Sequence, residues 1–106
     1  MTHIPVMTQE VLQFLDPKLN QNFVDCTLGD GGHTLAVLER TAPKGKLLGI
    51  DADQEAIENA ELRIKNAELS NRLIAAQGNF RNLGAIVKEH SVETVQGILL
   101  DLGFSS

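Results

Sequence analysis

The stretch Asp25-Cys26-Thr27-Leu28-Gly29-Asp30-Gly31-Gly32-His33-Thr34 decides how the rest of this chain is read. Before it stands Asn22-Phe23-Val24, a short apolar run suited to a buried strand. After it comes Leu35-Ala36-Val37-Leu38, suited to the first turns of a helix. The pattern predicts a strand over 22–26, a loop, and a helix over 33–41. Three glycines in the loop let the backbone turn sharply and leave no side chain between the main chain and a bound molecule.

Downstream, Pro43-Lys44-Gly45 is a turn signal, followed by a short apolar strand over 46–50 with Asp51 at its carboxyl end. Asp53 is placed to cap a helix whose Ala56, Ile57, Ala60, Ile64 and Ala67 keep helical spacing, and Ser70-Asn71 is the expected stop. A third strand over 73–76, a Gly78-Asn79-Phe80 loop, a helix over 83–90 and a fourth strand over 95–100 complete the series. Asp101 ends it, ahead of Leu102-Gly103-Phe104-Ser105-Ser106. Upstream, Pro5 disfavours helix at Ile4, and Thr8 is placed to cap a short helix through Leu15 with Val11, Leu12 and Leu15 on one face.

Short strands alternating with helices predict an α/β fold of right-handed parallel units, an open doubly wound sheet in the order 3-2-1-4. Such sheets bind ligands beyond the carboxyl ends of their strands, at the point where the order reverses. The glycine loop, Asp51, the Gly78-Phe80 loop and Asp101 all arrive at that rim. The outer edge of the fourth strand is expected to be unpaired, which invites pairing with another chain and a homodimer.

The chain has 106 residues, enough for one domain. Its 42% hydrophobic and 22% charged content, with no long apolar run or cationic leader, predicts a cytoplasmic protein without a membrane segment. A single cysteine, Cys26, excludes an internal disulfide and reads as a small buried residue; no cysteine-histidine spacing suggests a metal. The net charge of -5 argues against a phosphate-gripping surface, since the nine Lys and Arg are scattered without a basic patch. Either the partner is not a polyanion or the surface that holds one lies outside these residues.

Two cofactor classes use such a rim. A dinucleotide loop wants Gly-x-Gly-x-x-Gly with the pyrophosphate on a helix N-terminus. Gly29-Asp30-Gly31 begins that pattern, but the third position is Thr34, and Asp30 would repel a pyrophosphate. S-adenosyl-L-methionine carries a sulfonium cation and no phosphate, so Asp25, Asp30, Asp51 and Asp101 suit it better. Asp51 lies 19 positions beyond Gly32, near the separation expected of a carboxylate that accepts ribose hydroxyls. Phe80 either covers an adenine face or fills the core. His33, at a helix start where the dipole disfavours its protonated form, reads as a neutral polar contact rather than a general base. Ser105-Ser106 has no accompanying His-Asp arrangement.

Five motifs in register resemble the bacterial 16S ribosomal RNA cytosine-N4 methyltransferase family, MraW/RsmH. They are His3-Ile4-Pro5-Val6-Met7, the glycine loop, Gly49-Ile50-Asp51-Ala52-Asp53, Gly78-Asn79-Phe80 and Leu99-Leu100-Asp101-Leu102-Gly103-Phe104-Ser105-Ser106. The resemblance implies a Rossmann-like class I methyltransferase fold in partial form, an S-adenosyl-L-methionine cofactor, and 16S rRNA in the small ribosomal subunit as partner. It implies cofactor contacts at Gly31, Gly32, His33, Asp51, Phe80 and Asp101. Asp30 and Thr34 depart from the family's usual Gly or Arg, and Ser. Family members continue past the Ser-Ser with further strands and a helical insertion that meets RNA, so these residues resemble the amino-terminal third of such an enzyme.

Asp101-Leu102-Gly103-Phe104 is similar to the acid-Pro-Pro-aromatic motif of amino-methyltransferases. That resemblance makes Asp101 the candidate acceptor for the cytosine amine and Phe104 the candidate stacking partner for the base. In the competing reading, Asp101 only binds cofactor and Phe104 fills the edge of the core. A cofactor-binding module without catalytic activity is the second functional expectation, and a dinucleotide oxidoreductase the third.

Overall fold

The computed structural model describes residues 6–26, 28–29, 31–90 and 95–99. Helix α1 is Val6–Leu15, strand β1 Phe23–Asp25, α2 Gly32–Arg40 and β2 Leu47–Asp51. Then follow α3 Gln54–Asn66, β3 Leu73–Gln77, α4 Leu83–Glu89 and β4 Gly97–Leu99. Every strand pair is parallel and the order is β3-β2-β1-β4, as the alternating pattern predicted. The expected last residue of the fourth strand, Leu100, lies outside the described residues.

Side chains alternate across a strand, so the register assigns the two faces. Phe23 pairs with Leu47, and Leu47 with Leu73. On their face Leu12 of α1, Ala36, Val37 and Leu38 of α2, and Ile64 of α3 close over the sheet. Val24 pairs with Leu48, and Leu48 with Ile74; there Cys26 and Ile50 join them under Ile86 of α4. Each large side chain buried this way contributes about 1.5–3 kcal/mol relative to leaving it in water. Helices on both faces, with the order reversing at β1, place the switch point between β1 and β4. Gly97 opens β4 where a Cβ would stand 2.8 Å from the Phe23 ring, so the ring occupies the space of the missing side chain.

Polar groups fix how β4 docks. The Gln96 amide donates to the Asn22 carbonyl at 2.8 Å, and the Asn22 amide donates to Gln96 Oε1 at 2.6 Å. Asn22 Oδ1 also accepts from the Lys46 amide at 2.8 Å, which sets the start of β2 beside β1.

Three local readings differ from expectation. Helix α1 begins at Val6, so Thr8 lies inside it rather than capping it; Pro5 restricts only the residue before itself. Helix α3 ends at Asn66, short of Ser70-Asn71, because Glu68 takes a left-handed φ of 62° and Ala67 becomes the cap. A glutamate carries no signal for that conformation. Arg72, one of the nine scattered cations, is only 7% exposed. Its Nε donates to the Gly45 carbonyl at 2.7 Å, and its Nη2 donates to the Leu38 carbonyl and, at 3.4 Å, to Thr41 Oγ1. A cation there suits the carbonyl end of α2, although burial pulls the guanidinium below its ordinary pKa.

Candidate cofactor site at the carboxyl rim

The rim is built around Asp51, the last residue of β2. Its Oδ2 accepts the Gly29 amide at 3.0 Å and its Oδ1 the Asp53 amide at 2.9 Å. Its own carbonyl accepts the Gly78 amide at 2.9 Å, so the segments after β1, β2 and β3 converge on one residue. Gln77 Nε2 donates to the Ala52 carbonyl at 3.1 Å and holds the same corner. Asp53 caps α3 as predicted, its Oδ1 accepting the Glu55 amide at 2.9 Å.

The glycine loop is anchored from below by Leu28. Its amide donates to the Ile50 carbonyl at 3.1 Å, and its side chain packs with Ile57 and Ala60 of α3. A Cβ on Gly49 would lie 2.5 Å from Leu28 Cδ1, so β2 needs glycine for the leucine to lie across it. Gly31 takes a left-handed φ of 84°, and a Cβ there would stand 3.1 Å from Ala60 Cα. Glycine is needed at Gly31 both for the turn and for the approach to α3.

Gly31 is the N-cap of α2 and offers no side-chain cap. Beneath the turn, Thr34 Oγ1 donates to Asp25 Oδ2 at 3.1 Å, with both residues 0% exposed. Cys26, also buried, has its thiol pKa pushed up by burial and then by the Asp25 charge. Asp25 was expected among the acids around the ligand; it lies under the loop instead. The Asp25–Thr34 bond and the Leu28–Gly49 contact were not anticipated. The available signals were a threonine where a dinucleotide loop has glycine, and a glycine inside an otherwise apolar strand.

Of the predicted site residues, Gly31 is the N-cap of α2, Gly32 and His33 open that helix, and Asp51, at the end of β2, holds the Gly29 amide of the same loop. His33 is partly buried, and its Nε2 is enclosed without a hydrogen-bond partner among the described residues. Phe80 begins a 3-10 turn, Phe80–Asn82, just beyond Gly78. Asp101 and Phe104 lie outside the described residues, as does Asp30. Among the described residues no group of three or more His, Cys, Asp or Glu gathers to hold a metal, and no helix is long and apolar enough to cross a membrane.

This arrangement fits an adenosyl ligand. A carboxylate offers about four lone-pair positions, and two backbone amides engage those of Asp51, which leaves acceptors for a pair of ribose hydroxyls. The enclosed Nε2 of His33 is a polar atom awaiting a partner beside the same turn.

A family model described as the MraW methylase family matches residues 1–106. Over 104 residues the chain is 46% identical to "Ribosomal RNA small subunit methyltransferase H" of Syntrophotalea carbinolica, covering 98% of this chain and 32% of that protein. It spans between 32% and 34% of the length of the curated relatives it matches. Among solved structures, the C-terminal domain of precorrin-6Y C5,15-methyltransferase from Rhodobacter capsulatus superposes with a TM-score of 0.73. The identity is 22%, over 93% of this chain and 50% of that one. A geranyl diphosphate methyltransferase in complex with SAM gives a TM-score of 0.61 at 19% identity, over 69% of this chain and 29% of that one. At such identities the likeness is one of fold, and the fold is that of Rossmann-like methyltransferases.

Proposed function

Because this chain belongs to the MraW methylase family, we propose that it forms the S-adenosyl-L-methionine-binding part of a methyltransferase that modifies small-subunit ribosomal RNA at the N4 amine of a cytosine. The observation that carries the cofactor reading is Asp51, held by two backbone amides against the glycine turn with acceptors to spare. The family match and the names of the relatives support the RNA reading.

When bound, the cofactor supplies an electrophilic methyl group on a sulfonium cation. Asp51 accepts the ribose hydroxyls, Gly31 shapes the turn on which the ligand rests, Gly32 lets the ligand approach the backbone, and Nε2 of His33, without a partner among the described residues, makes a polar contact to it. Phe80, in the turn after β3, is proposed to cover the adenine. In-line transfer depends mainly on orientation, and the cytosine amine is a weak nucleophile because its lone pair is delocalised into the ring. Asp101 is proposed to accept an N–H of that amine and to take its proton as the C–N bond forms, besides bordering the cofactor. Phe104 is proposed to stack on the unstacked base. Both assignments rest on motif position.

A second reading follows from length. Since the chain spans only a third of its relatives, it can act as a cofactor-binding module whose RNA contacts and activity require further polypeptide. Calorimetry with S-adenosyl-L-methionine and a methyl-transfer assay on small ribosomal subunits separate the readings. Binding with transfer to cytosine N4 supports the enzyme, and binding alone supports the module. Absence of both sinks the cofactor proposal. Sedimentation tests whether two copies pair through the outer edge of β4, which among the described residues bonds to β1 alone.

A further inference from the structure

We propose that the loops entering β1 and β2 form a phosphate-gripping patch that anchors RNA at the end of the sheet opposite the cofactor rim. The proposal rests on the ribosomal RNA reading above and goes beyond it, because it gives these residues an RNA contact of their own.

The nine Lys and Arg look scattered in the sequence, yet the fold gathers four of them. Residues 18–22 lead into β1 and residues 40–46 into β2, and the two segments are tied together. The Asn20 amide donates to the Thr41 carbonyl at 3.0 Å, the Lys44 amide to Asn20 Oδ1 at 3.0 Å, and the Lys46 amide to Asn22 Oδ1 at 2.8 Å. Lys18, Arg40, Lys44 and Lys46 are all exposed at this corner. No Asp or Glu occurs in 17–24 or 40–50, although the chain as a whole carries a net charge of -5. Asp25 and Asp51 close their strands at the far end, which leaves Asp16 and Glu39 as the acids adjoining the patch in sequence. Asp16 pairs with Lys18 at 2.9 Å on the open surface. Such a pair is worth little and leaves Lys18 available to a stronger anion. Among the described residues no ion pair engages Arg40, Lys44 or Lys46.

Neutral side chains add donors. Asn20 and Asn22 spend their side-chain oxygens on the amides just named, and Gln21 Oε1 accepts the Lys18 amide at 2.9 Å, so each keeps its NH2 group for other partners. The carbonyl end of α2 would repel phosphate, but Arg72 lies beneath it and donates to the Leu38 and Gly45 carbonyls. Cations with amide donors between them suit phosphate oxygens. Lys46 precedes β2 and Asp51 ends it, a separation of roughly 16 Å for an extended strand. The patch therefore holds a stretch of RNA other than the target nucleotide, and it positions the RNA without reading its sequence.

The test is retention of a 16S rRNA transcript on filters by the full chain across a salt series. Lys44→Gln/Lys46→Gln is expected to weaken binding about tenfold at low salt and to lower the slope of log affinity against log salt by about 1.5. Lys65→Gln/Lys88→Gln removes the same charge from α3 and α4 and is expected to change binding by less than about threefold. Equal losses from the two pairs would mean that net charge alone is responsible and would overturn this inference by itself. Binding to phosphatidylglycerol vesicles in preference to 16S rRNA, lost in the Lys44/Lys46 pair, would assign the patch to a lipid surface and likewise overturn it. Failure of the unmodified chain to bind 16S rRNA at about 50 mM salt would overturn the RNA reading of these residues, and this inference with it.

Discussion

The amide of Gly29 donates to Oδ2 of Asp51 across 3.0 Å, joining the turn after β1 to the last residue of β2. Asn at this position presents one acceptor oxygen where Asp51 uses two, so either the Gly29 or the Asp53 amide loses its partner. Asp51→Asn is expected to weaken S-adenosylmethionine binding about tenfold or more, a change of roughly 1.4 kcal/mol, while costing about 1 kcal/mol of stability. Calorimetry paired with urea unfolding measures both; unchanged affinity would remove Asp51 from the ribose role.

Gly49 and Gly84 are expected to respond to alanine in opposite directions. A methyl group on Gly49 meets Leu28 Cδ1 at 2.5 Å, and the leucine is wedged against α3. Overpacking of this kind costs about 1–3 kcal/mol, and displacement of Leu28 should also loosen ligand binding. Gly84 lies on the exposed side of α4, with no atom of the described residues within 4 Å of its added Cβ. Gly84→Ala is expected to stabilise by up to about 1 kcal/mol through helix propensity. Thermal melts of the two variants side by side make the comparison.

Arg72 gathers the Leu38 and Gly45 carbonyls and the Thr41 hydroxyl around one guanidinium. Arg72→Leu strips the guanidinium donors from both carbonyls, leaving Leu38 only its longer bonds from Thr41, and is expected to destabilise by about 2–4 kcal/mol. Arg72→Lys offers a single ammonium in place of a planar fork and should recover only part of the loss. The cofactor affinity of whatever fraction remains folded should be unaltered, because the site is at the other end of the sheet.

Cys26 gives a pH dependence. Burial, and then the Asp25 charge, raise its pKa above the ordinary thiol value. For an acid whose pKa is higher when folded, the unfolded chain releases its proton first as pH rises. The stability that depends on the protonated thiol is complete below the unfolded pKa, near 8.5, and declines above it. Urea midpoints from pH 7 to 10 should fall, and Cys26→Ala should flatten this part of the decline. Alkylation of native Cys26 at pH 8 should be slow and should accelerate on unfolding.

The sheet order was legible because four apolar runs, each closed by a turn or a capping residue, leave few alternatives once parallel connections are required. The position of Asp51 was legible for the same reason: it follows the last apolar residue of β2 by one. The partners of buried polar groups were not legible. Arg72 looks like any surface cation in the sequence, and its burial follows from where the 3-10 turn Ser70–Arg72 sets it against the end of α2. The Asp25–Thr34 bond likewise depends on how strand and helix meet in space. Glu68 ends α3 earlier than composition suggests because tertiary packing of Ile64 and Leu69 outweighs local preference.

The three bonds at Asp51 have a consequence for how a ligand is received. Both side-chain oxygens and the carbonyl are engaged by amides of Gly29, Asp53 and Gly78 before anything binds. The conformational entropy of orienting that carboxylate has therefore been lost during folding, and in the proposed ribose role Asp51 would offer a fixed acceptor rather than a rotamer to be selected. If Asp51 holds the ribose as proposed, the rate of binding at this corner should be set by encounter and not by rearrangement.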